Sequence, residues 1–236
     1  MPTVWPYQAK RDALPRADFE ALRDTLLSSP LVGRSTLAGP FQSSRGFAVI
    51  FKEGGVAKVT ERFPPLAAYL PTILGAPGAR AVAPFWRRTI RRVPNAWYLN
   101  VLLVSEGGTV ARHVDATLRK PAEEPEAIPE CVSVLYLHVP AARGGELKLY
   151  LNKLPIGALR PRDNQLVHFH GGLSHEVCAF DGAPGEVRAS LVVEQYHFAP
   201  ETLARLPDFQ LDSRAGFAAY LDAHAQRPAS RFELEE

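Results

Sequence analysis

Cysteine is scarce. Cys131 and Cys178 are too few for a disulfide framework, and no C-x-x-C spacing exists to suggest thiol redox work or a structural zinc. A reducing compartment, the cytoplasm, is the expected setting. An excess of one charge is missing too: 27 Lys and Arg against 25 Asp and Glu leave a net charge of +2, with a mildly basic pI of 8.6. Bulk electrostatics therefore argue neither for a nucleic acid nor for an acidic membrane as partner. No apolar run approaches the roughly 20 residues that span a bilayer, and the opening stretch, MPTVWPYQAKRD, holds no uninterrupted apolar core. Neither secretion nor membrane insertion is expected. Internal repeats and low-complexity tracts are absent, and proline and glycine are spread as punctuation. With 46% hydrophobic and 22% charged residues, the 236-residue chain can bury a sizeable core. Its length suits one β-barrel or sandwich with helical decoration, so a single domain over 1–236 is expected.

Three textures follow one another along the chain. Pro15, followed by Phe19, Leu22 and Leu26, predicts an amphipathic helix near 16–27. The run 46–51 predicts a strand ending at Gly54-Gly55, and Pro64-Pro65 opens a second helix carrying Leu66, Leu70 and Ile73, stopped by Gly75 and Pro77. This makes 1–95 a support of helices and a strand. From Trp97 onward, short β-rich runs at 97–104, 109–114, 131–139, 146–151, 166–170 and 187–197 alternate with turns, and they predict an antiparallel sandwich or barrel over 96–199. The last segment, 200–236, returns to a helical pattern with Phe217, Tyr220 and Leu221 on one face.

Within the β-rich part, His113-Val114-Asp115 is the first concentration of strong metal ligands. In an extended segment, residues two apart share a face, so His113 and Asp115 converge while Val114 points away. A third candidate, His175, follows the Gly171-Gly172 turn. Two imidazoles and one carboxylate on one face of a ferrous ion leave three positions open, the arrangement of non-haem iron oxygenases. Read alone, H-x-D is more often a pair of hydrogen-bonded side chains at a strand end. Arg188 and Ser190, again alternate residues of a strand, add a guanidinium able to hold a carboxylate through two parallel charged hydrogen bonds, and a hydroxyl to assist. The plain alternative for Arg188 is a surface ion pair with Glu186 or Glu194.

Taken together, His113-x-Asp115, Gly144-Gly145-Glu146-Leu147, Leu166-Val167-x-Phe169, His175-Glu176-Val177 and Arg188-x-Ser190 resemble the Fe(II)/2-oxoglutarate-dependent dioxygenases of the prolyl-hydroxylase-like branch. The resemblance covers about residues 97–197. It implies a mainly β fold with flanking helices, a double-stranded β-helix (jelly roll) supported by the N-terminal helices. It also implies His113, Asp115 and His175 as ligands of Fe(2+), Arg188 as the grip on the distal carboxylate of 2-oxoglutarate, Ser190 as its assistant, and Tyr136 as a hydroxyl reaching the same carboxylate. The implied reaction consumes O2 and 2-oxoglutarate, releases succinate and carbon dioxide, and hydroxylates a C–H bond.

Some features depart from relatives. Leu102-Leu103-Val104 stands where some members carry a second tyrosine, so Asn100 or Tyr98 is expected to supply polar contacts instead. Glu194 stands where nucleobase demethylases carry a second arginine, which disfavours nucleic acid as substrate. Asp115 is intact, which disfavours halogenation. The leading expectation is hydroxylation of a small molecule such as an amino acid or a natural-product intermediate. The alternatives are a prolyl or other protein residue as substrate, and a catalytically silent metal-binding jelly roll. The sequence leaves oligomeric state open.

Other features carry bland readings. His168 and His170 read as hydrogen-bonded or surface histidines rather than ligands. The basic run 86–92 reads as a solvated face, and Glu123, Glu124 and Glu126 as a solvated loop, with a substrate-selecting lid as the functional alternative. Trp86, Trp97 and Tyr98 read as packing aromatics.

Overall fold

A computed structural model describes residues 6–35, 44–74, 92–118 and 127–215. The expectations for Gly75 and Pro77, for most of the basic run with Trp86, for the three glutamates and for the C-terminal helix lie outside these residues. Two antiparallel sheets face each other. The larger one runs in the order β1 (Tyr7–Lys10), β10 (Leu166–His170), β6 (Cys131–His138), β13 (Val187–Tyr196), β4 (Ala96–Ser105), β3 (Arg45–Lys52) and β14 (Phe209–Asp212), with β2 (Gly33–Arg34) beside β3. The smaller sheet has the order β5 (Val110–His113), β11 (Ser174–Val177), β8 (Leu147–Leu151) and β9 (Leu154–Leu159), and a two-strand ribbon joins β7 (Arg143–Gly144) to β12 (Phe180–Asp181). Between β4 and β13 the chain shuttles from one sheet to the other, and this yields the eight-stranded jelly roll.

Strict alternation along the central strands explains why both faces of the larger sheet are covered. On β13, Ala189, Leu191 and Val193 point outward and pack with Phe19, Leu22 and Leu26 of α1 (Arg16–Leu27) in the main core. Two shorter helices, α2 (Val56–Arg62) and α3 (Leu66–Tyr69), add Val59, Leu66 and Tyr69 to that core. The opposite face looks into the sandwich, where Val132, Val134 and Phe169 of the larger sheet meet Leu147 and Leu149 of the smaller. A fourth helix, α4 (Pro200–Arg205), follows β13 and buries no residue fully. Among the described residues no helix is long and apolar enough to cross a membrane.

The expected helix at 16–27 and the strands of the β-rich part lie where the pattern put them. Several elements differ: β14 is a strand inside the segment 200–236 read as helical, and β2, β7, β11, β12 and α2 fall outside the expected runs. The strand β1 escapes notice because its sequence, YQAK, is short, polar and mostly exposed at a sheet edge. The edge strand β9 escapes notice for another reason: LPIGAL is apolar, but its proline and glycine break the strand signal. The helix expected after Pro64-Pro65 is shorter, since α3 gives way to a 3-10 turn over Leu70–Thr72 that contains Pro71.

Candidate metal centre

The antiparallel pairing of β11 with β5 sets His175 directly opposite His113, and their rings lie 4.2 Å apart between centroids. Asp115 stands two residues beyond the end of β5, where the chain has left the sheet. Its carboxylate nevertheless closes the triangle: Oδ1 lies 3.3 Å from His113 Nε2 and Oδ2 lies 3.5 Å from His175 Nε2. One nitrogen or oxygen donor from each residue lies within 4.8 Å of the other two, and among the described residues no other His, Cys, Asp and Glu group gathers in this way. Val114 points away and is exposed.

Main-chain carbonyls fix how the imidazoles present themselves. His113 Nδ1 lies 2.8 Å from the Ala111 carbonyl and His175 Nδ1 lies 3.3 Å from that of Leu173. A carbonyl only accepts, so each Nδ1 carries a proton, and each Nε2 faces the centre, where it would offer its lone pair to a metal. Phe169 braces His175 edge-on, its centroid 4.9 Å away. Burial opposes the anionic form of Asp115, but the neighbouring His175 and His113 outweigh it and hold the carboxyl below the ordinary carboxylate range. The same burial holds His175 below its usual value. Burial also acts on His113, yet the hydrogen bond and charge of Asp115 prevail and raise it. Asp115 Oδ2 is buried without a hydrogen bond. Two imidazole nitrogens and an under-satisfied carboxylate oxygen facing one point are a donor set that fits a divalent iron ion.

The second half of the site comes from β13. Its inward face carries Arg188, Ser190, Val192 and Glu194 in alternation, and all four line one cavity with the three metal-ligand candidates. Arg188 is 3% exposed, which excludes the surface ion pair, and among the described residues no acidic group pairs with it. Its Nη1 donates to the Gly145 carbonyl at 2.8 Å, while Nε is buried with no hydrogen-bond partner. Burial lowers its pKa from the ordinary value, in part against the influence of Tyr136. Leaving a guanidinium so placed is costly, and a carboxylate bound in the cavity would satisfy it. Tyr136 on β6 pairs with Ser190 across the ladder, lines the same cavity, and has its hydroxyl pushed up to about 12 by burial. The six residues expected at the site are thus gathered around one cavity.

The aliphatic walls, among them Leu102, Val110, Leu147 and Val177, carry no motif, although the alternation of β4 places Leu102 and Asn100 on the inner face. Asn100 does line the cavity, but Tyr98 packs in a separate cluster with Tyr196 and Phe198. Trp97 stacks on Phe51 in the main core, as a packing aromatic should. His168 is buried with Nδ1 2.6 Å from Ser133 Oγ, and His170 Nδ1 accepts from the Gly172 amide at 3.0 Å. Neither joins the metal-ligand group. Glu194, an ion-pair alternative for Arg188, is bonded elsewhere. Its Oε1 accepts from Thr117 Oγ1 at 2.6 Å, its Oε2 from the Thr117 amide at 3.1 Å and from the Tyr196 hydroxyl. Burial, then the nearby Asp115 charge, pushes its carboxyl up to about 8.

No family model and no curated protein matches the sequence. Solved structures do match. A prolyl-4-hydroxylase from Pseudomonas putida aligns at TM-score 0.53 and 18% identity, over 83% of this chain and 94% of that one. An oxidoreductase of the 2OG-Fe(II) oxygenase family from Burkholderia pseudomallei gives 0.55 and 16%, over 81% and 85%. A prolyl hydroxylase from Trichoplax adhaerens, solved with a peptide fragment of the hypoxia inducible factor oxygen degradation domain, gives 0.51 and 16%, over 81% and 83%. The likeness is one of fold: this chain has the jelly-roll architecture of the 2-oxoglutarate and Fe(II)-dependent oxygenases.

Proposed function

We propose that the protein is an Fe(II)/2-oxoglutarate-dependent oxygenase that hydroxylates a C–H bond of a small molecule, such as an amino acid or a natural-product intermediate. The observation that carries this reading is the shared cavity. A His-Asp-His donor triangle opens onto the same space as a buried guanidinium whose Nε has no hydrogen-bond partner. His113, Asp115 and His175 would hold the iron, Arg188 would grip the distal carboxylate of 2-oxoglutarate, and Ser190 and Tyr136 would flank that carboxylate. When bound, iron with 2-oxoglutarate and O2 supplies the oxidation, in which substrate C–H becomes C–OH while 2-oxoglutarate becomes succinate and CO2. The chain's own work is to present two neutral imidazoles and one carboxylate, to orient the diacid through Arg188, and to exclude water with aliphatic walls such as Val110 and Val177.

Anaerobic titration with Fe(II) and 2-oxoglutarate tests the reading. A visible metal-to-ligand charge-transfer band is expected in the wild-type protein. Loss of the guanidinium grip in Arg188→Ala should raise the 2-oxoglutarate needed for half of that band by at least about 30-fold, from a charged hydrogen-bonded pair of about 2 kcal/mol. His175→Ala should show no band. A well-folded wild-type protein without the band would instead be a silent jelly roll. Succinate release measured across free amino acids and short peptides then decides the substrate class, and turnover confined to peptides would replace the small-molecule reading with protein-residue hydroxylation.

A further inference from the structure

Asp115 poses a structural question that the histidines do not. His113 and His175 are held by the β5–β11 ladder, whereas residues 114–117 belong to no helix or strand. Two side chains of β13 hold this segment. The Thr117 amide donates both to Glu194 Oε2 at 3.1 Å and to the Tyr196 hydroxyl at 2.9 Å, and the Leu118 amide reaches the same hydroxyl at 3.3 Å. The Thr117 hydroxyl donates to Glu194 Oε1 at 2.6 Å, and Tyr196 in turn donates to Glu194. Phe198 stacks on Tyr196 with centroids 5.3 Å apart, which fixes the ring. Glu194 and Tyr196 are 2% and 1% exposed, and the bonds to Thr117 and Tyr196 occupy both oxygens of Glu194.

We propose that Glu194, with Tyr196, is a positioning residue for the Asp115 carboxylate: the pair clamps the irregular segment two residues downstream and thereby sets where the metal-binding oxygen sits. This rests on the iron-site reading above. The geometry supports it because buried donors in a low-dielectric site are costly to leave unpaired, so the segment has one strongly preferred position. Arg188 and Glu194 lie on the same face of one strand, so β13 alone aligns the grip on the diacid with the third metal ligand.

The test uses Mn(II) binding to the metal-free protein, read from the EPR signal of free Mn(II), together with hydrogen exchange at the Thr117 and Leu118 amides. Glu194→Ala is expected to weaken Mn(II) binding by at least about 10-fold, the range seen when a residue supporting a metal ligand is removed. It should also deprotect both amides. Glu194→Gln should stay within about threefold of wild type, because its amide can donate to the Thr117 hydroxyl while its oxygen accepts the remaining bonds. Should Glu194→Ala fail to fold, Thr117→Val takes its place; it keeps the amide, removes the hydroxyl, and should weaken Mn(II) by at least about 10-fold, an unaltered affinity overturning the clamp. Gln195→Ala is the control for general destabilisation: it breaks the 2.7 Å bond to Ser133 on the other face of the strand and should leave Mn(II) affinity unchanged. Unaltered Mn(II) affinity or amide protection in Glu194→Ala overturns the clamp, as does an equal loss in Gln195→Ala. Wild-type protein that binds no Mn(II) or Fe(II) overturns the iron-site reading itself, and the clamp with it.

Discussion

His168 shows how one side chain can govern acid sensitivity without touching the chemistry. It lies under the outer face of the larger sheet, tied to Ser133, which also accepts from Gln195. Burial, then the charge of Lys10, lowers it to about 4 from the ordinary 6.5. The unfolded chain therefore binds the extra proton more readily than the folded one. Stability contributed by neutral His168 is complete above pH 6.5 and falls away as pH drops through 4. The expected loss is on the order of 3 kcal/mol, read as a falling urea midpoint between neutral and acidic buffer. His168→Gln should flatten that slope, and an equally steep slope in the variant would refute the assignment. Arg188 is the opposite case: its exposed-ion-pair reading was natural from neighbours Glu186 and Glu194, and only the depth of β13 in the sandwich overturns it.

Among elements, the Gly144-Gly145 turn leading from β7 into β8 shapes the guanidinium site. Both residues lie at positive φ, 85° and 76°, and a Cβ on Gly144 would come within 2.3 Å of the Ala179 carbonyl. The turn delivers the Gly145 carbonyl to Arg188. Gly144→Ala is expected to cost about 2–3 kcal/mol, from the left-handed backbone together with the clash. Gly185→Ala, at φ 88° with nothing near its would-be Cβ, should cost only about 1 kcal/mol. Equal urea midpoints for the two variants would remove the steric part of this account. The strands that build the roll were legible because hydrophobic alternation survives along them, as in CVSVLYLH and VRASLVVEQY. The edge strands β1 and β9 were not: an edge facing solvent needs no apolar pattern, as in β1, and the proline and glycine of β9 break the strand signal. The same contrast holds at the site. His113, Asp115 and His175 announce themselves through residue type, whereas Thr117, Glu194 and Tyr196 are joined across 77 to 79 positions by bonds that leave no periodic trace.

For the whole molecule, the division of labour is between a helix-backed face and a site-bearing face of the same sheet. Leu22 of α1 is fully buried in the helix-side core, whereas the cavity opens on the other side of β13. Leu22→Ala should therefore cost about 2–5 kcal/mol of stability through the cavity it leaves. Metal affinity of the folded fraction should remain at the wild-type value, as calorimetric unfolding and Mn(II) binding on one preparation would check. A parallel loss of affinity would show that the helix layer reaches the site.

The sandwich also separates two grips. Both imidazole donors ride on the smaller sheet and the guanidinium on the larger, with Val134, Leu149 and Phe169 filling the gap between leaves. That filling works as a calliper, spacing the two groups to which the proposed function gives the iron and the diacid.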